Sequence, residues 1–334
     1  MKTLTISVAA YNAEKTIEKC LDSMVNAKCV DDLEIIVVND GSKDSTLEIA
    51  NRYAAKYPAS VIVVDKENGG HGSTINASIV RATGKYYRIV DSDDWVDTDN
   101  LEKLIDVLKN AEEDLIYNPY IEVNYSTGAQ IPYTAYKTPR NNYSFEMNNK
   151  DLKLFFAMHM HTSTVKTDLV KRFGPVIEEN CFYVDQEFIV YSFSAAKTMR
   201  VFDYPVYYYL LGDANQSVSI GNMIKRRNQH RRVTEKLLGF YEDLAKTSAP
   251  VQTYVRKYIA FSVSQMYKIY FLMPVEESLP EFKNLANTVP EELYKTLSFK
   301  WRIMMAVIRL FDYKFYNLIV TILQKTGIAE KIFG

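Results

Sequence analysis

The sequence predicts an α/β protein: a mostly parallel β-sheet flanked by helices, followed by a C-terminal region built of helices alone. Three observations carry this. Through residues 1–110, short β-prone runs alternate with segments of helical period, the signature of right-handed βαβ units. The distinctive polar groups fall where those strands end, which is where open α/β sheets bind ligands. Beyond Asn222 the β-prone runs stop. These shifts place an α/β domain at 1–222, with halves 1–110 and 111–222, and a helical region at 223–334.

The first strand is Leu4–Ala10, closed by Tyr11 and Asn12. Residues 14–27 place Ile17, Leu21, Met24 and Val25 at helical spacing. A second strand at 33–38 runs into Asn39, Asp40, Gly41 and Ser42, and Ser42 or Asp44 can cap a helix reaching Tyr57 before Pro58. A third strand at 61–64 leads to the loop Asn68, Gly69, Gly70, His71, Gly72, and then to a helix over 73–82. The fourth, 86–90, drives into Asp91, Asp93 and Asp94.

The next half is less regular. A helix near 101–110 precedes strands at 115–118, 121–125 and 130–136, with a turn at Ser126, Thr127 and Gly128. Residues 138–149 read as a loop, Asp151 caps a helix to Met158, and 165–173 is helical until Gly174 and Pro175 stop it. A helix follows Asp185, and strands follow at 199–203 and 206–211. In the last region, helices at 223–246, 251–271 and 290–297 are punctuated by Pro274, Pro280 and Pro290.

Composition narrows the function. With 47% hydrophobic and 24% charged residues, the 334-residue chain is an ordinary globular protein. A formal net charge of −1 gives no footprint for nucleic acid. Cys20, Cys29 and Cys181 are odd in number and lack metal-ligand spacing, which reads as reduced thiols in a cytoplasmic protein. No signal peptide and no membrane span is expected, since no run of 18 apolar residues occurs.

Three carboxylates at the mouth of a buried strand repel one another and lose solvation, so a cation belongs among them. Oxygen ligands suit Mg²⁺ or Mn²⁺. The competing reading is an acidic strand-to-helix turn, with Asp97 or Asp99 as the helix cap. His159 and His161 have strand-like spacing, but no Cys or His lies near them in sequence, so a metal role is discounted. The loop at 68–72 lacks the Lys and Ser/Thr of a P-loop.

Taken in order, Ser7-Val-Ala-Ala-Tyr-Asn12, Glu34 through Ser45, Asn68 through Gly72, Asp91 through Trp95, and Val184 through Phe188 resemble the motifs of the family 2 glycosyltransferases. These are inverting enzymes with a GT-A fold. The likeness covers roughly residues 3–220. It implies a nucleotide-sugar donor, in particular a UDP-sugar, and a saccharide or lipid-linked acceptor in cell-surface polysaccharide or glycolipid synthesis. It implies that Asp40 reads the base, walled by Ala9 and Tyr11, with Asn68, Gly70, Asp91 and Ser92 completing the nucleotide site. Asp91 and Asp93 would form the DxD pair that holds Mg²⁺ or Mn²⁺, and Asp185 would be the catalytic base. Trp95, His161, Gln216 and Ser217 are candidates for the acceptor or a closing loop.

Two departures stand out. Val184 replaces the usual Glu before the base, and Leu210 and Leu211 occupy the region where relatives carry an Arg. If that Arg steadies the diphosphate in the family, the task passes here to Arg226, Arg227, Lys66 or another cation. A scaffolding subunit and a nucleotidyltransferase are the rival classes. At the C-terminus, Phe315, Leu318, Ile319, Ile322 and Leu323 share one helical side. That face fits packing on its own domain, a homodimer, or peripheral contact at the inner face of the plasma membrane.

Overall fold

The computed structural model describes residues 1–134, 141–147, 158–174, 176–212, 219–244, 249–311 and 313–325. The chain forms two compact units, Met1–Asp213 and Ala214–Gly334.

In the first unit, β1 (Leu4–Ala10), β2 (Leu33–Asp40), β3 (Val61–Lys66) and β4 (Tyr86–Asp91) lie parallel in the order β3-β2-β1-β4. Their connections are α1 (Ile17–Val25), α2 (Thr46–Lys56) and α3 (Gly70–Arg81). Strand β1 shows why the chain folds this way. Its alternate residues Leu4, Ile6 and Val8 join a core with Ile17, Leu21 and Met24 of α1 and with Leu101 and Leu104 of α4 (Thr98–Asn110). The intervening Thr5 and Ser7 face the other way. Ser7 Oγ donates to Ser78 Oγ of α3 at 2.7 Å, and Thr5 Oγ1 donates to the buried Glu34 carboxylate at 2.6 Å.

The sheet continues past β4 with a change of direction. Strand β10 (Ser163–Lys166) is antiparallel to β4 and to β6 (Leu115–Tyr117), β6 is parallel to β11 (Thr198–Val201), and β9 (Tyr143–Glu146) closes the edge. A second sheet, in the order β5-β12-β7-β8, joins Trp95–Val96, Tyr207–Leu211, Tyr120–Asn124 and Gln130–Tyr133. It draws β12 beside the residues that follow Asp91.

Several expectations shift. Val165 and Lys166 are strand, not helix, because they pair with Tyr87 and Tyr86; α5 (Thr167–Phe173) starts two residues later than expected. Part of the expected loop at 138–149 is strand β9, paired with β11. The helix expected at 151–158 lies largely outside the described residues. Asp97, rather than Asp99, caps α4 by accepting from Asn100 N at 2.9 Å.

The second unit is all helix: α7 (Ile220–Lys225), α8 (Arg227–Leu244), α9 (Ala249–Leu272), α10 (Val275–Thr288), α11 (Glu291–Thr296), α12 (Phe299–Leu310) and α13 (Lys314–Lys325). Helix α10 runs through Pro280 instead of breaking there. Its core is aromatic. Phe282 lies 4.6 Å from Tyr316 and 4.9 Å from Tyr267, centroid to centroid, and Trp301 lies 5.6 Å from Phe271.

Candidate active site

The carboxyl ends of β2, β1 and β4 are neighbours in the sheet, so residues far apart in sequence share one rim. At the end of β2, Asp40 is almost fully buried. Its carboxylate accepts from Gly69 N at 2.9 Å, Gly70 N at 2.8 Å, Lys66 Nζ at 2.8 Å and Ser73 Oγ at 3.2 Å. Asn68 Nδ2 donates to the Asp40 carbonyl. A buried carboxylate needs such donors, and here they fix the loop entering α3. Gly70 has φ +78°, a backbone that a side chain would strain. A Cβ at Gly72 would lie 2.0 Å from the Glu178 carbonyl oxygen, so only glycine lets α3 approach that segment.

The close approach positions the base candidate. Asn180 N donates to the Gly69 carbonyl, and Asn76 of α3 holds Ile177 through two hydrogen bonds, at 2.8 and 3.1 Å. Chain segment 176–183 is thereby tied to α3 before it enters α6 (Asp185–Ala195), whose first residue is Asp185. Asn180 and Tyr183 take positive φ in this approach.

In the first turn of α3, His71 Nε2 stands 3.3 Å from Asp91 Oδ1. Burial opposes a charged imidazole, but the Asp91 carboxylate outweighs it, with Asp185 and Asp93 adding, and the His71 pKa is raised. For Asp91 the same pair acts in reverse: burial raises the pKa, His71 more than cancels it, and the net shift is downward. Asp185 goes the other way. Burial raises its pKa and Asp91 adds to the rise, with His71 only partly opposing.

Asp91, Asp94 and His161 present one ligand atom each within 4.8 Å of one another. Asp94 is buried, accepts from the Tyr207 hydroxyl and from Leu210 N at 2.7 Å, and its pKa is pushed well up by burial and by Asp93 and Asp91. Tyr207 also accepts from Asp91 N at 3.2 Å, so one phenol ties β12 to both ends of the acidic turn. His161 is buried between Tyr207 and Tyr209, with ring centroids at 4.5 and 4.4 Å, and its Nδ1 has no hydrogen-bond partner among the described residues. Burial pulls its pKa down to about 3, leaving a neutral imidazole able to ligate a metal. Two carboxylates and one orphaned imidazole nitrogen fit a divalent cation.

Of the other expected residues, Ala9 pairs with Asp91 across the β1–β4 ladder, and Ser92 N donates to the Ala9 carbonyl at 3.3 Å. Tyr11 is exposed beside Asn12, whose φ is +50° and whose amide N–H donates to Ser42 Oγ. Asp93 is exposed and lies outside the clustered donor set. Trp95 is stacked on Tyr208 at 5.4 Å and carries Lys19 Nζ over its ring. Lys66 is engaged by Asp40, and Arg227 pairs with Glu277 and Glu281 of α10. Gln216 and Ser217 lie outside the described residues.

Sequence reasoning gave no role to Asn76, Tyr207 or Arg88. Arg88 is fully buried in β4, donating to Thr164 Oγ1 and the His161 carbonyl, and burial lowers its pKa to about 10. A charged residue inside a β-prone run was the one available signal. Through Arg88, β4 also holds the segment that carries His161.

The architecture has relatives. TarS 1–349 of S. aureus, solved in complex with UDP-GlcNAc, superposes with a TM-score of 0.70 at 21% identity, over 98% of this chain and 92% of that one. Among sequences, the poly(ribitol-phosphate) beta-glucosyltransferase of Bacillus spizizenii is 29% identical over 250 residues, 72% of this chain but 36% of its own length. The chondroitin synthase of Pasteurella multocida is 37% identical over 122 residues, 36% of this chain and 12% of that enzyme. The chain thus spans only a fraction of these two relatives. The profile of Glycosyl transferase family 2 matches residues 5–173, half of the chain, and it covers β1 through α5 with the rim just described. The protein belongs to glycosyl transferase family 2.

Proposed function

We propose that the protein transfers a sugar, with inversion, from a nucleotide-sugar donor to a hydroxyl of a saccharide or lipid-linked acceptor in cell-surface polysaccharide synthesis. The observation that carries the reading is the meeting of Asp185, His71 and Asp91 beside the Asp91–Asp94–His161 donor set. Inverting transfer needs one carboxylate to take the acceptor proton while the bond to the departing diphosphate breaks on the opposite side. Asp185, with its pKa raised by burial, is that base.

Asp91, Asp94 and His161 would hold a divalent cation, with exposed Asp93 beside them. When bound, the cation supplies charge for the leaving diphosphate. An imidazole among carboxylates favours Mn²⁺ over Mg²⁺. His71, whose pKa is raised beside Asp91, supplies a second positive charge, the part that the family resemblance gives to an arginine near Leu210 and Leu211. Tyr11 walls the base at the rim, and Asp40 serves it indirectly by fixing the Asn68–Gly70 loop against which it rests. A UDP-sugar is the donor we infer, supported by the complex of the TarS neighbour with UDP-GlcNAc.

Thermal unfolding with a panel of nucleotide sugars, each with and without Mn²⁺, tests this. A donor at a hundred times its Kd adds about 2.7 kcal/mol to the native state, a shift of several degrees. UDP-sugars with Mn²⁺ are expected to give the largest shift. If no UDP-sugar stabilises the protein in the presence of metal, the donor reading is wrong.

A further inference from the structure

We propose that the outward face of α12 and α13 is a docking surface for a bilayer of anionic lipids. A helix lying on a domain buries one apolar side and shows water a polar one. Helix α12 is apolar on both. Trp301, Met305 and Ile308 point into the unit, where Trp301 packs on Tyr267 and Phe271. On the opposite side Phe299, Ile303, Val307 and Leu310 form a stripe at helical spacing, with Phe299 74% and Leu310 78% exposed.

Helix α13 repeats the arrangement. Tyr316 and Val320 are buried, while Phe315, Leu318 and Ile322 are exposed. Of the face whose role the sequence left open, Phe315, Leu318 and Ile322 meet solvent and Ile319 and Leu323 are half-buried. The two stripes are one surface. Helices α12 and α13 are in contact, and the Phe311 and Phe315 rings meet edge to face at 4.5 Å across the turn between them. Because the back of each helix is locked in the aromatic core, neither can rotate its apolar front inward.

Charge selects the occupant. Neither helix contains an acidic residue, although acidic and basic residues are almost equal in the whole chain, at 41 and 40. Arg309 is taken by Glu291 and the Ala286 carbonyl. Lys300 and Arg302 are exposed and stand on either side of the α12 stripe, and Lys314 and Lys325 are exposed at the two ends of α13. Apolar side chains bordered by lysine and arginine are the pattern of a helix lying in an anionic membrane interface. A second copy of this chain fits worse, since self-pairing sets these cations against one another. No helix among the described residues is long and apolar enough to cross a membrane, so the contact is peripheral.

Co-sedimentation with vesicles tests the assignment. The full chain should partition to phosphatidylcholine vesicles doped with phosphatidylglycerol, and far less to pure phosphatidylcholine. Lys300→Gln with Arg302→Gln and Lys314→Gln should weaken binding about fivefold per cation removed. Ile303→Glu with Leu310→Glu should abolish it. Both replaced residues are exposed, so the melting temperature should hold; if that variant fails to fold, the charge variant decides. Equal partitioning to both vesicle types overturns the proposal. So does a concentration-dependent dimer, seen by light scattering, that binds no vesicles.

Discussion

The α/β unit and the helical unit differ in where they tolerate costly groups. In the α/β unit the cost is internal. Asp40, Arg88 and Asp94 are buried, and each is placed under or beside the carboxyl ends of the parallel strands. In the helical unit the core is aromatic, built on Tyr267, Phe271, Phe282 and Tyr316, and the cost lies outside as exposed phenylalanine, isoleucine and leucine. Burying a charge needs several donors held in place, which a fold keeps where charge is handled. Exposing a contiguous apolar face lowers solubility, which a fold keeps where something covers it. The two units therefore point to chemistry in one and to contact in the other.

The largest expected effect breaks the chemistry without touching the fold. Asp185→Asn keeps size and shape but removes the base, so kcat should fall by about 10²- to 10⁴-fold. Donor-dependent thermal stabilisation should remain, because the proposed role of Asp185 is toward the acceptor's proton and not the donor. The pH profile adds a second readout. A base with a raised pKa is active above that pKa and fails as pH drops through it, so the acid limb of kcat/KM lies above the 3.8 of an ordinary aspartate. The residual activity of Asp185→Asn should lack that limb. Unchanged turnover in the variant would move the base elsewhere and leave the contrast between the units without its chemical half.

The strands of the α/β unit were legible because parallel strands buried on both faces read as unbroken apolar runs, as at Leu4–Ala10 and Leu33–Asp40. Strands β5, β9 and β10 were not, because these two- to four-residue runs are set by pairing with strands far along the chain, β12, β11 and β4, and not by a period of their own. The same limit applies to the site. Asp40 and Asp91 were singled out by their places at strand ends and Asp185 by the family pattern, but the cage of Gly69 and Gly70 amides around Asp40 depends on loop geometry that no local pattern encodes. His161 was discounted as a ligand for want of a neighbour in sequence, and the neighbours come from the turn after β4. In α13 the apolar side chains were visible in the sequence, yet amphipathicity does not say which side meets the core. The larger Tyr316 and the branched Val320 took the inner positions.

A smaller effect probes the helical unit's interior. His230 of α8 is almost fully buried, and burial lowers its pKa from 6.5 to about 4. Its neutral form is favoured in the folded state, while the unfolded chain takes up a proton near 6.5. The stability it supports is complete above 6.5 and is lost as pH falls toward 4, by on the order of 3 kcal/mol. Urea unfolding of wild type and His230→Gln at pH values above 6.5 and near 4 checks this. The variant should lose less stability on acidification. If both lose the same amount, His230 is not the acid-sensitive group, and the helical interior is as insensitive to pH as its aromatic composition suggests.

The smallest effect sharpens the comparison from the packing side. Phe282 touches Tyr267, Tyr270, Phe271, Tyr313 and Tyr316, with Tyr316 nearest at 4.6 Å. Phe282→Leu keeps the site apolar but removes the ring from these pairs and leaves part of its volume empty, which costs about 2 kcal/mol. The unfolding midpoint should drop by a few degrees. Stabilisation by a UDP-sugar with Mn²⁺ should keep its size, since that site is built by the α/β unit. The Tyr316→Phe variant separates packing from polarity: it loses the hydrogen bond from the Tyr316 hydroxyl to Ser278 Oγ at 2.9 Å and should cost about 1 kcal/mol. Should Phe282→Leu erase the donor response as well, the helical core would share in donor binding, and the division between an interior made for charge and a surface made for contact would no longer follow the two units.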